Sequence, residues 1–245
     1  MTRIGIQPHD FSNLLHLILD SNSLELQSIM THLARADEIE QQAVQNQIEI
    51  FHSLTQDLKN LPKKIPFYHI ANSAALIKQK IQGTNMARPG IALYGAYPHP
   101  DMKELIDLKP VLSWKSKIIS LKQVPAHTPI SYGGTYVTTR SSKIAIMPVG
   151  YADGYSRVFS NIGEVLVRGH RAPVRGRVCM DLTMIDVTDI KNVALEDEVV
   201  LIGKQESQEI RAEELAAKTN TISYEIFTSI SARVPRIIHS GEENS

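Results

Sequence analysis

At Pro110 the hydrophobic pattern of the chain changes period, and that change constrains the fold more than any other feature of the sequence. Ahead of it, helix-like and strand-like segments alternate. Residues 10–20, DFSNLLHLILD, put Phe11, Leu14, Leu15 and Ile18 on one helical face, with Asp10 as the N-cap. LELQSIMTHLA (24–34) reads as a buried strand, and a long helix is expected from about Asp37 to Asn60. The Leu61-Pro62 pair ends that helix, because the residue before a proline is pushed out of the helical region. IPFYHIANS (65–73) reads as a strand leading into a helix near Ser73, and MARPGIALYG (86–95) as a further strand closed by glycine. This βαβα rhythm implies a parallel sheet with helical crossovers.

Beyond Pro110 the texture is short β-branched runs punctuated by Gly and Pro: VLSWKSKIISLKQV, KIAIMPVGY, EVLVRG, APVRGRVCM, MIDVTDI and DEVVLIG. These read as an antiparallel β domain. RAEELAAKT (211–219) reads as a helix, TISYEIFTSI and ARVPRIIHS as a last strand pair, and GEENS as a disordered tail. The expected fold class is α/β plus β, with residues 1–107 and 108–245 as two domains. Of the 245 residues, 42% are hydrophobic, enough for a sizeable core. The net charge of zero argues against a nucleic-acid partner. No apolar run approaches the roughly 20 residues that span a bilayer. One cysteine, Cys179, excludes an internal disulfide and favours a reducing, cytoplasmic setting.

Several stretches carry groups suited to chemistry, each with an ordinary structural explanation as well. ANSAAL places a helix N-terminus at Ser73, which suits a phosphate or a plain serine cap. In ARPGIALYG, Gly90 would let backbone approach a ligand, while Arg88 suits a ligand or an ion pair. His32 could carry a proton or be hydrogen-bonded structurally. SYGGTY (131–136) is a hairpin turn that could hold Tyr132 away from its sheet. GYADGYSR (150–157) adds Tyr151, Tyr155 and Arg157; GRVCMD (176–181) ends a strand at Met180-Asp181; TISYE puts Tyr224 in a strand.

Taken in order, MTRIG, THLARADE, ANSAAL, RPGIALYG, SYGGTY, GYADGYSR, GRVCMD and TISYE…RVPR resemble alanine racemase, from Thr2 to about Ile237. The resemblance implies a (β/α)8 TIM-type barrel followed by a C-terminal β domain. It implies pyridoxal phosphate as cofactor, a small amino acid as substrate, a homodimer, and D-alanine supply for the cell wall. It implies that Tyr132 exchanges the Cα proton on one face, that His32 assists, and that Arg3 orients Tyr132 and the substrate carboxylate. Arg88 would face the pyridine nitrogen, where it would limit delocalisation of charge into the ring. Ser73, Gly90, Ile91 and Tyr224 would bind phosphate. The Met180 backbone would meet the substrate carboxylate, and Tyr151, Arg157 and Asp181 would line the access channel. A phenol ordinarily ionises near pH 10, so a neighbouring cation such as Arg3 would favour the phenolate.

One departure accompanies the matches. The family's other base is the lysine that carries the cofactor, and no lysine in residues 1–107 sits in a matching motif. Lys59, Lys63 and Lys64 flank a polar helix end, Lys78 and Lys80 lie on an amphipathic helix, and Lys103 lies near the domain boundary. A closed barrel takes about 250 residues. The expectation is therefore an incomplete barrel, with Met1 internal to the family pattern and the chain inactive alone. A non-catalytic dimerisation or interaction module and one half of a split racemase are the alternatives.

Overall fold

A computed structural model describes residues 1–61, 64–78 and 81–239, and of Lys59 its backbone only. Pro62, Lys63, Lys80 and the GEENS tail, named above, lie outside the described residues. The chain divides into two compact units, Met1–Lys109 and Pro110–Ser245.

The first unit contains α1 (Phe11–Leu19), β1 (Ser28–Met30), α2 (Gln42–Thr55), β2 (Phe67–His69) and α3 (Ser73–Lys78). β1 and β2 pair in parallel, Ser28 opposite Phe67 and Met30 opposite His69, with α2 as the crossover. Val44, Ile48, Phe51 and Thr55 are the buried face of α2. Val44, Ile48 and Phe51 pack with Leu15, Leu33, Tyr68, Ile70, Ala74 and Met102 into this unit's core.

Three expectations for this unit need correction. The 24–34 segment is a strand only over Ser28–Met30, because Leu24 is exposed and residues 31–34 turn away as a loop. The long helix begins at Gln42, not Asp37. Glu40 accepts a bond from the Gln42 N–H at 2.6 Å and the Gln41 amide donates to the Glu38 carbonyl, so side chains compete with helical bonds there. After Thr55 it tightens into a 3-10 turn over Gln56–Asn60. MARPGIALYG is not a strand: Met86 makes one parallel bridge to His69, Pro89 has no N–H for a ladder, and Ile91–Tyr94 form a 3-10 turn. Asp10 precedes α1 as expected, but its side chain makes no capping bond.

The second unit is antiparallel. Its strands are β3 (Trp114–Lys117), β4 (Ser120–Val124), β5 (Pro129–Ile130), β6 (Tyr136–Val137), β7 (Ser142–Met147), β8 (Glu164–Val167), β9 (His170–Pro173), β10 (Thr183–Asp186), β11 (Glu198–Gln205) and β12 (Gln208–Ile210). Two helices follow, α4 (Ala212–Lys218) and α5 (Ser223–Ser229). One sheet runs β10-β7-β4; a second runs β12-β11-β8-β9, with β3 also on β11; β5 and β6 form a separate hairpin. Val199–Ile202 of β11 are buried on both faces, which explains the unbroken apolar run VVLI. Tyr155 belongs to this core, not to a site. It stacks on Phe159 at 4.5 Å and meets Trp114 edge-on. Its hydroxyl has no hydrogen-bond partner among the described residues, and burial pushes its ionisation far above the ordinary phenol range.

Here too the period was misleading in places. TISYEIFTSI is largely helical: Ser223, Ile226 and Ile230 are the buried positions, at spacings of three and four, so Tyr224 sits on α5. No strand forms over 231–239, where Arg236 donates to the carbonyls of Ile230 and Val234 instead. GRVCMD is a loop beyond the end of β9.

Candidate functional site

The candidate residues fall into two groups, one in each unit. In the first unit, the loops that follow β1 and β2 and the 88–92 segment converge. Asn72 caps α3, its Oδ1 accepting from the Ala75 N–H at 3.1 Å. That leaves Ser73, only 3% exposed, free of the capping role. Its Oγ instead accepts from the Gly90 N–H at 2.7 Å and the Ala92 N–H at 3.3 Å, bracketing Ile91. A Cβ at Gly90 would lie 3.8 Å from this oxygen, so a side chain there would cover the cluster. A hydroxyl and two backbone N–H groups are thereby gathered at one point; both N–H groups are spent on Ser73 Oγ here, and would serve an anion only by turning from that oxygen to it.

Arg88 is anchored beside them. Its Nη1 donates to His69 Nδ1 at 2.5 Å, and its Nη2 donates to the carbonyls of Thr31 (2.9 Å) and Ile70 (3.3 Å). Accepting at Nδ1 requires that nitrogen to be unprotonated. Burial, and secondarily the Arg88 charge, lowers the His69 pKa and keeps the ring neutral. Burial also lowers the Arg88 pKa from the usual guanidinium value. His32 stands on the loop after β1. Burial lowers its pKa first, then the charges of Arg88, Arg3 and the N-terminus, which is the trace that Arg3 leaves on this group.

In the second unit, Tyr132 is at the tip of the β5–β6 hairpin and is 70% exposed. Its neighbour Ser131 has φ 64°, ψ −174°, a backbone region that costs a non-glycine residue about 1–3 kcal/mol. The Ser131 hydroxyl holds that geometry by donating to the Arg177 carbonyl at 2.6 Å. Residues 177–180 continue from there to the 150–153 turn: the N–H groups of Tyr151 and Ala152 donate to the carbonyls of Cys179 and Met180, each at 3.0 Å. Asp153, almost buried, accepts from the Gly150 N–H at 2.8 Å and from Arg233 Nε at 2.8 Å. Arg233 Nη2 reaches Asp181 at 2.6 Å. Met180, Tyr151 and Asp181 are thus held on one connected scaffold with the hairpin of Tyr132. Arg157 starts a 3-10 turn capped by Ser156, and the exposed face of α5 carries Tyr224.

Motif reading missed the residues that hold others in place: His69, Asn72, Asp153, Arg177 and Arg233. Asn72, Asp153, Arg177 and Arg233 stand inside the motifs ANSAAL, GYADGYSR, GRVCMD and RVPR, but nothing local assigns them a role. Elsewhere in the second unit, a cavity of about 220 Å³ is lined by Arg140, Arg171, Arg175, Tyr136, Asp186 and Asp189 among others. Arg140 pairs with Asp189 and Arg171 with Glu214 and Glu164, so most of its charge is internally matched.

Comparison with known proteins bears on what these groups serve. Residues 111–238 match the family profile described as "Alanine racemase, C-terminal domain", and residues 1–98 match "Alanine racemase, N-terminal domain". The chain belongs to the alanine racemase family. It is 51% identical over 236 residues to an alanine racemase of Halothermothrix orenii, covering 96% of this chain and 62% of that protein. It is 44% identical over 244 residues to "Alanine racemase 2" of Caldanaerobacter subterraneus, covering 99% and 63%. The crystal structure of alanine racemase from Bacillus anthracis with bound L-Ala-P matches with a TM-score of 0.88 at 40% identity, over 99% of this chain and 63% of that one. Alanine racemase from Streptomyces lavendulae matches at 0.90 and 32%, over 99% and 64%. The chain therefore shares the alanine racemase fold along nearly its whole length, and spans just under two thirds of these relatives.

Proposed function

We propose that this chain serves the interconversion of L-alanine and D-alanine with pyridoxal phosphate, and that it supplies part of the racemase site. The observation that carries this is the Ser73–Gly90–Ala92 donor cluster beside an Arg88 fixed by His69. The cluster fits a phosphate, and the anchored guanidinium fits a ring nitrogen that accepts. Ser73, Gly90, Ile91 and Tyr224 would hold the phosphate. Pyridoxal phosphate, when bound, withdraws electrons from the substrate Cα and so acidifies its proton. Racemisation then needs one group to take that proton and another to return one on the opposite face.

Tyr132, exposed on a strained hairpin, is the candidate for one face, with His32 as its assistant and Arg3 as the cation that favours the phenolate. The Met180 backbone would meet the substrate carboxylate, and Tyr151, Arg157 and Asp181 would line the access channel. The candidate set contains no lysine for the second face. In this proposal that lysine lies in the third of the family's length that the chain does not match. Residues 1–107 then contribute part of a barrel, residues 108–245 the β domain, and the working assembly is a cytoplasmic homodimer. Among the described residues no helix is long and apolar enough to cross a membrane.

The test is reconstitution. The chain is purified alone and with the remaining N-terminal segment of a relative, each with pyridoxal phosphate, and D-alanine formation is followed. Alone, the chain should give no borohydride-trappable adduct at a defined lysine and no enzymatic turnover. The mixture should racemise, and Tyr132→Phe should remove most of that activity. Robust racemisation by the chain alone would overturn the division of the site. A properly assembled mixture without turnover would overturn catalysis and leave an interaction module.

A further inference from the structure

The loop after β1 carries His32, and a single side chain from α2 ties down its first four residues. We propose that Gln47 is the positioning residue of the first-unit group: its carboxamide ties residues 31, 32 and 34 together and so sets where His32 and the Thr31 carbonyl stand. Gln47 Nε2 donates to Thr31 Oγ1 at 2.9 Å and to the His32 carbonyl at 2.8 Å. Its Oε1 accepts from the Ala34 N–H at 3.2 Å. Both N–H donors and the oxygen of a primary amide are thereby used on one loop, and of the common side chains only glutamine has this donor and acceptor set at this length.

The platform under the amide is rigid. Gln47 is half-buried, and on α2 it stands between Val44, Ile48 and Phe51, which are packed in the core. Apart from the Arg88 bond to the Thr31 carbonyl, the other ties to this part of the loop are longer: the Thr31 N–H reaches the His69 carbonyl at 3.3 Å, and Asn72 Nδ2 reaches the Leu33 carbonyl at 3.4 Å. The consequence extends past His32. Arg88 Nη2 donates to the Thr31 carbonyl at 2.9 Å, so the loop that Gln47 holds is one wall of the Arg88 anchor. The significance of His32 rests on the racemase proposal; the placement of its loop does not.

The test needs no turnover, so it can fail without touching the racemase proposal. The full chain and Gln47→Met are compared by NMR, following the His32 ring through a pH titration and the exchange rate of the Ala34 amide. Met keeps the length and removes all three bonds. Without them the loop should loosen, and the His32 midpoint should rise toward the ordinary imidazole value near 6.5. Ala34 exchange should speed up on the order of tenfold. His170, in the other unit, and the amides of β2 should not move. A folded Gln47→Met with His32 and Ala34 unchanged would overturn the proposal. If Gln47→Met does not fold, Gln47→Asn, one methylene too short to reach the loop, is measured in its place with the same expectation. Loss of folding in both would make Gln47 a packing residue and overturn the proposal as well.

Discussion

Replacing Gly150 by alanine should pull apart the scaffold under Tyr151 and Met180. A Cβ at position 150 would sit 2.3 Å from the carbonyl oxygens of both Cys179 and Met180, against an ordinary contact of at least 3.4 Å. Both neighbours are backbone, so no side chain can swing away, and the two strands of chain must separate by about 1 Å. Those same carbonyls accept from the Tyr151 and Ala152 N–H groups. Overpacking of this kind costs about 1–3 kcal/mol. Weakening two hydrogen bonds adds about 1 kcal/mol each. Lost flexibility of the unfolded chain returns about 0.4–1 kcal/mol. The net is a destabilisation of about 2–4.6 kcal/mol, confined to the second unit. Trp114, the chain's single tryptophan, is buried in that unit and reports it selectively. With a urea slope of about 2 kcal/mol/M, the middle of the usual range, its fluorescence midpoint should fall by about 1–2.3 M. Hydrogen exchange at 150–153 and 179–181 should accelerate beyond the rest of the unit. An unchanged midpoint, or uniform acceleration, would refute the close-approach reasoning.

Acidification should weaken the two units in order. His32 and His69 have folded pKa values below 6.5, so their stabilising effect is complete above that pH and is lost as pH falls toward the folded values. Glu214, held low chiefly by its hydrogen bonds with Arg171, loses its contribution only as pH falls from 4.5 through its lowered folded pKa. First-unit exchange protection should therefore decline before Trp114 fluorescence changes, and the reverse order would contradict these directions. Ser73→Ala leaves the Gly90 and Ala92 N–H groups without their acceptor. It should cost the first unit about 1–3 kcal/mol, with faster exchange at residues 90 and 92; native-like exchange there would dismiss the cluster. Arg233→Met should speed exchange at 151–153 and 180–181 without altering the β11 amides, and equal protection at those loops would show that Asp153 needs no cation.

Much of the architecture was legible because it rests on local rules. The change of period at Pro110 separates a parallel unit from an antiparallel one, and the apolar runs of β7, β8, β10 and β11 were readable as strands. α2 was visible from its apolar spacing, although side-chain bonds from Glu40 and Gln41 moved its start. Segments whose periods are ambiguous were misread. TISYEIFTSI alternates well enough for a strand, yet burial of Ser223, Ile226 and Ile230 makes it a helix. RPGIALYG is apolar enough for a strand, but Pro89 and the turn at Ile91–Tyr94 deny it a ladder.

The candidate site divides along the same line. The sequence by itself determined which reactive groups are present and in what order: a tyrosine in a glycine turn, a histidine after a strand, a serine at a helix start, an arginine before Pro-Gly. Each belongs to a short motif, and short motifs survive without knowledge of distant contacts. Only the tertiary structure decided what holds them. Gln47 reaches the His32 loop from 15 residues away, Arg88 reaches Thr31 across 57, and Arg233 reaches Asp181 across 52. Such partners carry no local signature, because a hydrogen bond across folded chain depends on where two backbones pass each other, and that is settled by packing of the core.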